Sequence, residues 1–277
     1  MDNPIALILS VLAVALAVWL VSLYLVCPGR RSKEMEKYKS VKFAHRGLHG
    51  EGKAENSTSA FAAARDAGFG IELDVRLSKD GELVVFHDVD LSRMVGKEGK
   101  VIDFTAAELA QMKLADTSDG IPTLREVLDL IDGAVPLLIE MKMAGDEGGV
   151  VEKLVEVIDG YKGDFIVESF NPMALKTLKK LRPDIMRGML SMVYMNEPRF
   201  KGKLLYRLLQ NLQLNFLVRP DFIAYEKDGY TVGNLRFIRR NFNTPLIAWT
   251  IKSSKEEAEA IGHGFDTVIF EGYIPEK

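Results

Sequence analysis

A (β/α)8 TIM barrel that follows one membrane-spanning helix is the fold class predicted by this 277-residue chain. Behind an uncharged N-terminal stretch, eight strand-like runs alternate with helical runs, which is the pattern of a closed parallel barrel of about 250 residues. Charged side chains stand at the ends of most of these strands, where barrel proteins gather their functional groups. An open doubly wound sheet is the alternative, but the sequence has no Gly-x-Gly-x-x-Gly loop.

The composition is that of a globular protein with a sizeable core. Hydrophobic residues make up 47% of the chain and charged residues 27%. A net charge of −3 gives no reason to expect nucleic acid as a partner. Cys27 is the single cysteine, which excludes an internal disulfide. The oligomeric state stays open.

Residues 1–28 are predicted to form a transmembrane anchor. The run Ile5–Cys27 has no charged side chain and, as a helix, is roughly 34 Å long, enough to span a bilayer. A cleaved signal peptide is the alternative, but the chain starts Met1-Asp2-Asn3, without a basic residue, and no Ala-x-Ala precedes Pro28. We therefore expect an uncleaved, single-pass membrane protein.

Residues 29–40 are interpreted as a basic juxtamembrane linker. Only the α-amine is basic before the apolar run, whereas several bases follow it, and these are Arg30, Arg31, Lys33, Lys37, Lys39 and Lys42. The positive-inside rule then predicts a cytoplasmic C-terminal domain. The same bases are expected to lie against anionic headgroups.

The remaining residues, 41–277, are predicted to form the barrel. Its strand-like runs are Val41–His45, the run that opens at Gly70, Leu83–His87, Pro136–Met141, Phe165–Ser169, Met186–Leu190, Phe222–Tyr225, Leu246–Thr250 and Thr267–Glu271. Its helical runs are Thr58–Gly68, Thr123–Ile131, Gly149–Asp159, Pro172–Leu181, Arg199–Leu212, Thr231–Asn241 and Lys255–Ile261. Leu83–His87 is the ninth strand and is assigned to a hairpin outside the barrel.

The hairpin brings acidic and imidazole side chains together. Glu72 and Asp74 are two positions apart on a strand and so share one face. The Asp80-Gly81 turn predicts that the strand returns with Phe86 opposite Asp74, which delivers His87 beside the two carboxylates.

A small insertion at 88–120 follows the hairpin. Within it, Thr105 and Glu108 form a capping box that predicts a helix start, and Thr123 with Glu126 forms a second box just behind it.

Together, these motifs resemble those of glycerophosphodiester phosphodiesterases. The motifs that carry the resemblance are His45-Arg46-Gly47, Glu55-Asn56-Ser57, Glu72-Leu73-Asp74, Lys79-Asp80-Gly81, His87-Asp88, Ile121-Pro122-Thr123-Leu124, Glu140-Met141-Lys142, Ser169-Phe170 and Trp249-Thr250. The resemblance covers about Val41 to Tyr273 and implies a TIM barrel with a small insertion that helps to shape the substrate cleft. Two departures are Ser57, where the family has Thr, and Phe270-Glu271, where its closing strand usually ends in Thr-Asp.

A divalent cation is expected at Glu72, Asp74 and Glu140. Three carboxylates in one cavity raise one another's pKa, and a hard cation relieves this repulsion. All-oxygen ligands favour Ca²⁺ or Mg²⁺. Arg46 and Lys142 are the candidate phosphate-binding residues, because their positive charges can bind the phosphate charge that the cation does not neutralise.

His45 and His87 are the candidate general acid and base, because imidazole titrates near neutral pH. The resemblance implies that the glycerol 2-hydroxyl attacks and that water then opens a cyclic phosphate; direct attack by water stays open, as does the choice of initial base. The candidate substrate contacts are Glu55, Asn56, Phe170 and Trp249. For Glu55 and Asn56 the alternative is a structural role in a turn.

Three functions follow from these residues. The first is hydrolysis of glycerophosphodiesters to an alcohol and sn-glycerol 3-phosphate, the second is a lysophospholipase D acting on membrane lipids, and the third is a non-enzymatic membrane-tethered barrel. The segment Met192–Phe216 is interpreted as an amphipathic helix that covers the barrel, with a membrane-facing lid as the alternative.

Overall fold

A computed structural model describes residues 4–31, 33–143 and 149–276. The strands are β1 (Phe43–Ala44), β2 (Gly70–Leu77), β3 (Leu83–Val85), β4 (Leu137–Met141), β5 (Phe165–Ser169), β6 (Arg187–Ser191), β7 (Phe222–Glu226), β8 (Leu246–Ile251) and β9 (Thr267–Phe270). The α-helices are α1 (Pro4–Val26), α2 (Thr58–Asp66), α3 (Ser92–Val95), α4 (Ala106–Ala110), α5 (Leu124–Ile131), α6 (Val150–Ile158), α7 (Pro172–Leu181), α8 (Leu204–Gln210), α9 (Asn215–Val218), α10 (Gly233–Phe242) and α11 (Ser254–Gly262).

Within these residues, the parallel strands close into an eight-stranded barrel. The order around it is β1-β2-β4-β5-β6-β7-β8-β9, and β9 pairs with β1 to complete the circle. Helix α1 precedes β1, and helices α2 to α11 lie in the connections between successive strands. The predicted (β/α)8 fold is therefore confirmed.

The β2–β3 hairpin has the register that the Asp-Gly turn predicts. Leu77 pairs with Leu83, and the amide of Phe86 donates to the carbonyl of Asp74 at 2.9 Å. Both predicted capping boxes are also present, at Thr105 and Thr123. The hairpin therefore returns His87 to the end of β2, beside the acidic residues.

Met35 and Tyr38 occupy the barrel interior at its N-terminal end. Met35 is 1% exposed and Tyr38 4%. Both belong to one cluster with inward-facing strand residues such as Phe43, Phe222 and Ile247. The segment interpreted as a linker thus contributes side chains to the core and closes the N-terminal end of the barrel.

The end of α1 is fixed to the crossover between β6 and β7. Asn215 donates through Nδ2 to the carbonyl of Val26 at 3.1 Å, and Arg219 donates to the carbonyl of Cys27 at 2.9 Å. Just beyond, Arg31 holds the buried Asp221 through Nε at 3.0 Å and through Nη2 at 2.5 Å. Helix α1 itself is long and apolar enough to cross a bilayer, a property that signal sequences share.

The single amphipathic helix predicted at Met192–Phe216, and with it the helical run Arg199–Leu212, is wrong. This crossover contains a 3-10 turn at Tyr194–Asn196 followed by the two short helices α8 and α9. Pro198 and Gly202, which has a φ of 79°, precede α8 and prevent a continuous helix.

Candidate active site

The predicted functional side chains converge on one cavity at the C-terminal end of the barrel. The cavity has a volume of about 820 Å³. Of the residues predicted from the sequence, its lining includes His45, Arg46, Glu72, His87, Glu140, Lys142, Phe170 and Trp249.

Three carboxylates lie at the ends of β2 and β4. Asp74 and Glu140 are direct neighbours in the sheet register, and Glu72 precedes Asp74 on the same face. Glu72, Asp74 and Glu140 each offer an oxygen, and these oxygens all lie within 4.8 Å of one another. All three side chains are buried. Burial, followed by mutual repulsion, raises the pKa of Glu72 well above its usual value.

Two cations face these carboxylates. Lys142 Nζ lies 2.7 Å from Glu140 Oε2 and 3.1 Å from Asp74 Oδ1, and Arg46 Nε lies 3.3 Å from Asp74 Oδ2. Burial alone would raise the pKa of Asp74, but Lys142 and Arg46 outweigh it and hold that pKa far below its usual value. For Glu140 burial prevails over Lys142 and raises the pKa to about 7. Asp74 is therefore the carboxylate that stays ionised.

Arg46 stands in the left-handed region with a φ of 56°, directly after β1. Its backbone amide donates to Glu72 at 2.9 Å, while its Nη1 donates to Glu55 at 2.8 Å. Asn56 donates through Nδ2 to Asp74 at 2.8 Å. Glu55 and Asn56 thus hold Arg46 and Asp74 in place, and neither is part of the cavity lining.

Each histidine is held by its own carboxylate. His45 Nδ1 lies 2.6 Å from Glu271 Oε2, and His87 Nδ1 lies 2.6 Å from Asp88 Oδ1. An ionised carboxylate makes Nδ1 the donor, so that Nε2 is left to face the cavity. Burial lowers the pKa of both rings, that of His87 to about 4. Both imidazoles are therefore neutral at pH 7.

Three residues of the site, Asp88, Glu168 and Glu271, are not among those assigned from the sequence. The signal for Asp88 is its position next to His87 in the sequence. The signal for Glu271 is its position directly after β9, the strand that pairs with β1. Glu168, at the end of β5, is 1% exposed and lines the cavity, and its Oε2 has no hydrogen-bond partner. Burial, reinforced by Glu140 and Glu72, raises the pKa of Glu168 well above its usual value. Glu168 therefore adds to the cavity a buried carboxyl group with one oxygen free to meet a bound molecule.

Aromatic side chains form the wall beside the carboxylates. Phe170 and Trp249 meet edge to face with 5.6 Å between ring centroids, and Phe170 meets Tyr194 at 6.4 Å. Trp249 Nε1 is buried without a hydrogen-bond partner. An indole N–H in that state is suited to an oxygen of a bound molecule.

Beyond Phe170 the cavity continues between apolar side chains, a part that we name the apolar arm. It is formed by the loops after β4 and β6, by the start of α7 and by the two helices of the β6–β7 crossover. Its residues are Met143, Met173, Met192, Tyr194, Phe200, Leu205, Tyr206, Leu209, Leu214 and Leu217.

Comparisons with known proteins agree with this geometry. The model of the glycerophosphoryl diester phosphodiesterase family matches residues 45–270. A glycerophosphodiester phosphodiesterase of Caldanaerobacter subterraneus subsp. tengcongensis is 38% identical over 172 residues, which are 58% of this chain and 70% of that protein.

Solved structures give the same result. An Oleispira antarctica phosphodiesterase in complex with the product sn-glycerol-3-phosphate superposes with a TM-score of 0.70 at 26% identity, over 84% of this chain and 94% of that one. A glycerophosphodiester phosphodiesterase of Thermotoga maritima superposes with a TM-score of 0.63 at 28% identity, over 83% of this chain and 94% of that one.

Proposed function

Because the chain belongs to the glycerophosphoryl diester phosphodiesterase family and is a phosphoric diester hydrolase, we propose how it works: as a membrane-anchored, metal-dependent enzyme that uses His45 and His87 as acid and base. Its products are an alcohol and sn-glycerol 3-phosphate. The observation that carries the proposal is the convergence of three buried carboxylates with two carboxylate-bound histidines.

The carboxylates fit a divalent cation. Glu72, Asp74 and Glu140 supply only oxygen donors, all buried and within 4.8 Å of one another, which suits Ca²⁺ or Mg²⁺. Burial and, after it, repulsion by Asp74 and Glu140 raise the pKa of Glu72, and a bound cation would offset both effects. When bound, the cation would neutralise phosphate charge and make phosphorus more electrophilic.

Arg46 and Lys142 take the rest of the phosphate charge. Both line the cavity next to the carboxylates, and both are already positioned by Asp74. Burial alone would lower the pKa of Lys142, but Asp74 and Glu140 raise it, so Lys142 stays cationic. Phosphate is therefore bound by fixed cations whose geometry does not depend on the substrate.

His45 and His87 move the protons. A neutral imidazole with its Nδ1–H bound to a carboxylate accepts a proton at Nε2, because the carboxylate stabilises the imidazolium that forms. One ring takes the proton from the attacking hydroxyl, and the other takes up a proton from water at Nε2 and passes it to the leaving oxygen. Phe170 and Trp249 form the wall beside the glycerol or alcohol part of the substrate, and the Trp249 indole N–H donates a hydrogen bond to one of its oxygens.

The membrane part of the proposal rests on α1. The helix is uncharged over its length, and bases follow it directly, which favours a single span with the barrel in the cytoplasm. Residues 41–277, which include the insertion at 88–120, then form the catalytic domain. Met35 and Tyr38 complete the core of this domain at the N-terminal end of the barrel.

A second candidate function, lysophospholipase D, is favoured by the apolar arm. A glycerophosphodiester with a small alcohol needs only the polar end of the cavity. The arm adds methionine, leucine and aromatic side chains, which suit one acyl chain. A lysophospholipid would therefore be hydrolysed by the same residues.

The test is a product assay on detergent-solubilised, full-length protein. Glycerophosphocholine and lysophosphatidylcholine are offered in parallel, with EDTA and after addition of Ca²⁺ or Mg²⁺. We expect metal-dependent release of choline that Glu72→Ala abolishes and that Glu152→Ala, at an exposed carboxylate on α6, leaves unchanged. Equal rates with and without EDTA would refute the metal role, and turnover of the lysolipid alone would select the second function.

A further inference from the structure

Exposed apolar side chains surround the mouth of the cavity. Leu204 is 69% exposed, Leu205 54% and Met173 53%. Met173 and Leu205 also line the apolar arm, and Leu204 is adjacent to Leu205 at the start of α8. Apolar side chains of this size, grouped at one opening, indicate a surface that something covers.

Basic side chains flank this apolar group. The segment from Glu197 to Arg207 contains four exposed bases and one acid, and the bases are Arg199, Lys201, Lys203 and Arg207. Arg199 itself lines the cavity. A cluster of leucines within a cationic rim suits the boundary between anionic headgroups and acyl chains.

The same crossover is bound to the end of the candidate membrane span. Tyr24 meets Phe216 of α9 with 5.7 Å between ring centroids, and Asn215 binds the carbonyl of Val26. Leu214 and Leu217, two positions before and one position after Phe216, line the apolar arm. One face of α9 thus contacts α1, while neighbouring positions contact the cavity.

We propose that Met173, Leu204 and Leu205, with Arg199, Lys201, Lys203 and Arg207, form a bilayer-docking surface. Its occupant is the anionic leaflet into which α1 is anchored. The apolar residues enter the headgroup–acyl boundary, and the bases bind lipid phosphates. The inference rests on the membrane span of the proposed function, but not on any particular substrate.

Docking of this surface seats the cavity on the lipid. Because Met173 and Leu205 belong both to the surface and to the apolar arm, a single acyl chain passes from the bilayer into the arm without crossing water. The carboxylates and histidines then meet the phosphodiester of a lipid that is still held by its leaflet.

A fluorescent probe tests the contact directly. In full-length protein carrying Cys27→Ser, an environment-sensitive fluorophore is attached to a cysteine introduced by Leu204→Cys. The matched control is Ile274→Cys, which is 66% exposed and follows β9, three strands around the barrel from β6. Both proteins are reconstituted into phosphatidylcholine–phosphatidylglycerol vesicles, with or without lipids that carry a quencher on the acyl chain.

We expect the probe at position 204 to lose emission in quencher vesicles and the probe at 274 to keep it. Charge removal by Lys201→Gln and Lys203→Gln should weaken docking about fivefold per lysine and restore the emission at 204. Equal quenching at 204 and 274 would overturn the docking surface. Resistance of the protein to alkaline extraction reports separately on the span, and hydrolysis of soluble glycerophosphocholine reports separately on the catalytic proposal.

Discussion

Met35 offers a sharp test of how the barrel is closed. It lies in a segment that is basic and polar in sequence, yet it is 1% exposed and packs among the inward-facing strand residues. Met35→Ala removes the methionine side chain beyond Cβ from an interior that the surrounding strands cannot collapse to fill. The variant therefore combines a lost transfer free energy with the cost of a cavity.

The expected loss is large for a single substitution. A buried methionine replaced by alanine costs about 2–5 kcal/mol. For a protein of this size, each kcal/mol lowers Tm by about 2–4 °C, so that a middle value of about 3 kcal/mol gives a drop of about 6–12 °C.

Thermal unfolding of the detergent-solubilised protein, followed by near-ultraviolet circular dichroism, measures this drop. Met173→Ala is the matched control, because Met173 is 53% exposed and its loss should change the free energy of unfolding by about 0.5 kcal/mol or less. If the two variants had the same Tm, residues 33–40 would not belong to the folded core.

Three further predictions concern the site and the barrel wall. Glu271→Gln removes the partner that raises the pKa of His45, so we expect kcat/KM to fall about 10²-fold and its His45-dependent limb to move to lower pH; an unchanged pH profile would contradict this role. Trp249→Phe keeps the ring but removes the unpartnered indole N–H, which should raise KM about 2- to 10-fold with kcat nearly constant; an unchanged KM would exclude the contact. Gly188→Ala brings a methyl group within 2.1 Å of the Phe222 ring and should lower Tm by several degrees, whereas Gly233→Ala, where an added methyl meets nothing within 4 Å, should not.

Much of the site was predictable because it depends on local rules. Side-chain alternation puts Glu72 and Asp74 on one face, and the Asp80-Gly81 turn sets the register that returns His87. The ends of parallel strands then bring Glu140 to the same edge of the barrel. None of these steps requires knowledge of long-range packing.

The features that sequence reasoning missed depend on tertiary contacts. His45 and Glu271 are 226 positions apart, and only closure of the barrel between β1 and β9 makes them partners. Met35 and Tyr38 are isolated apolar residues among bases, so no periodicity marks them as core. In the β6–β7 crossover, the leucine pattern indicated one helix, but Pro198 and Gly202 break it.

For the membrane-anchored enzyme proposed above, the junction between α1 and the barrel has a consequence for which phosphodiesters can reach the site. The chain from Tyr24 to Arg31 is held by Asn215, Arg219 and Asp221, so the span and the barrel tilt and turn as one body. With α1 across a bilayer as proposed, the catalytic groups would stand at a constant height above the bilayer midplane, and the depth of a phosphodiester in the leaflet would decide whether it reaches them. One residue inserted into the helical end of α1 would rotate the barrel by about 100° relative to the proposed span, so the length of this junction would itself be part of the specificity.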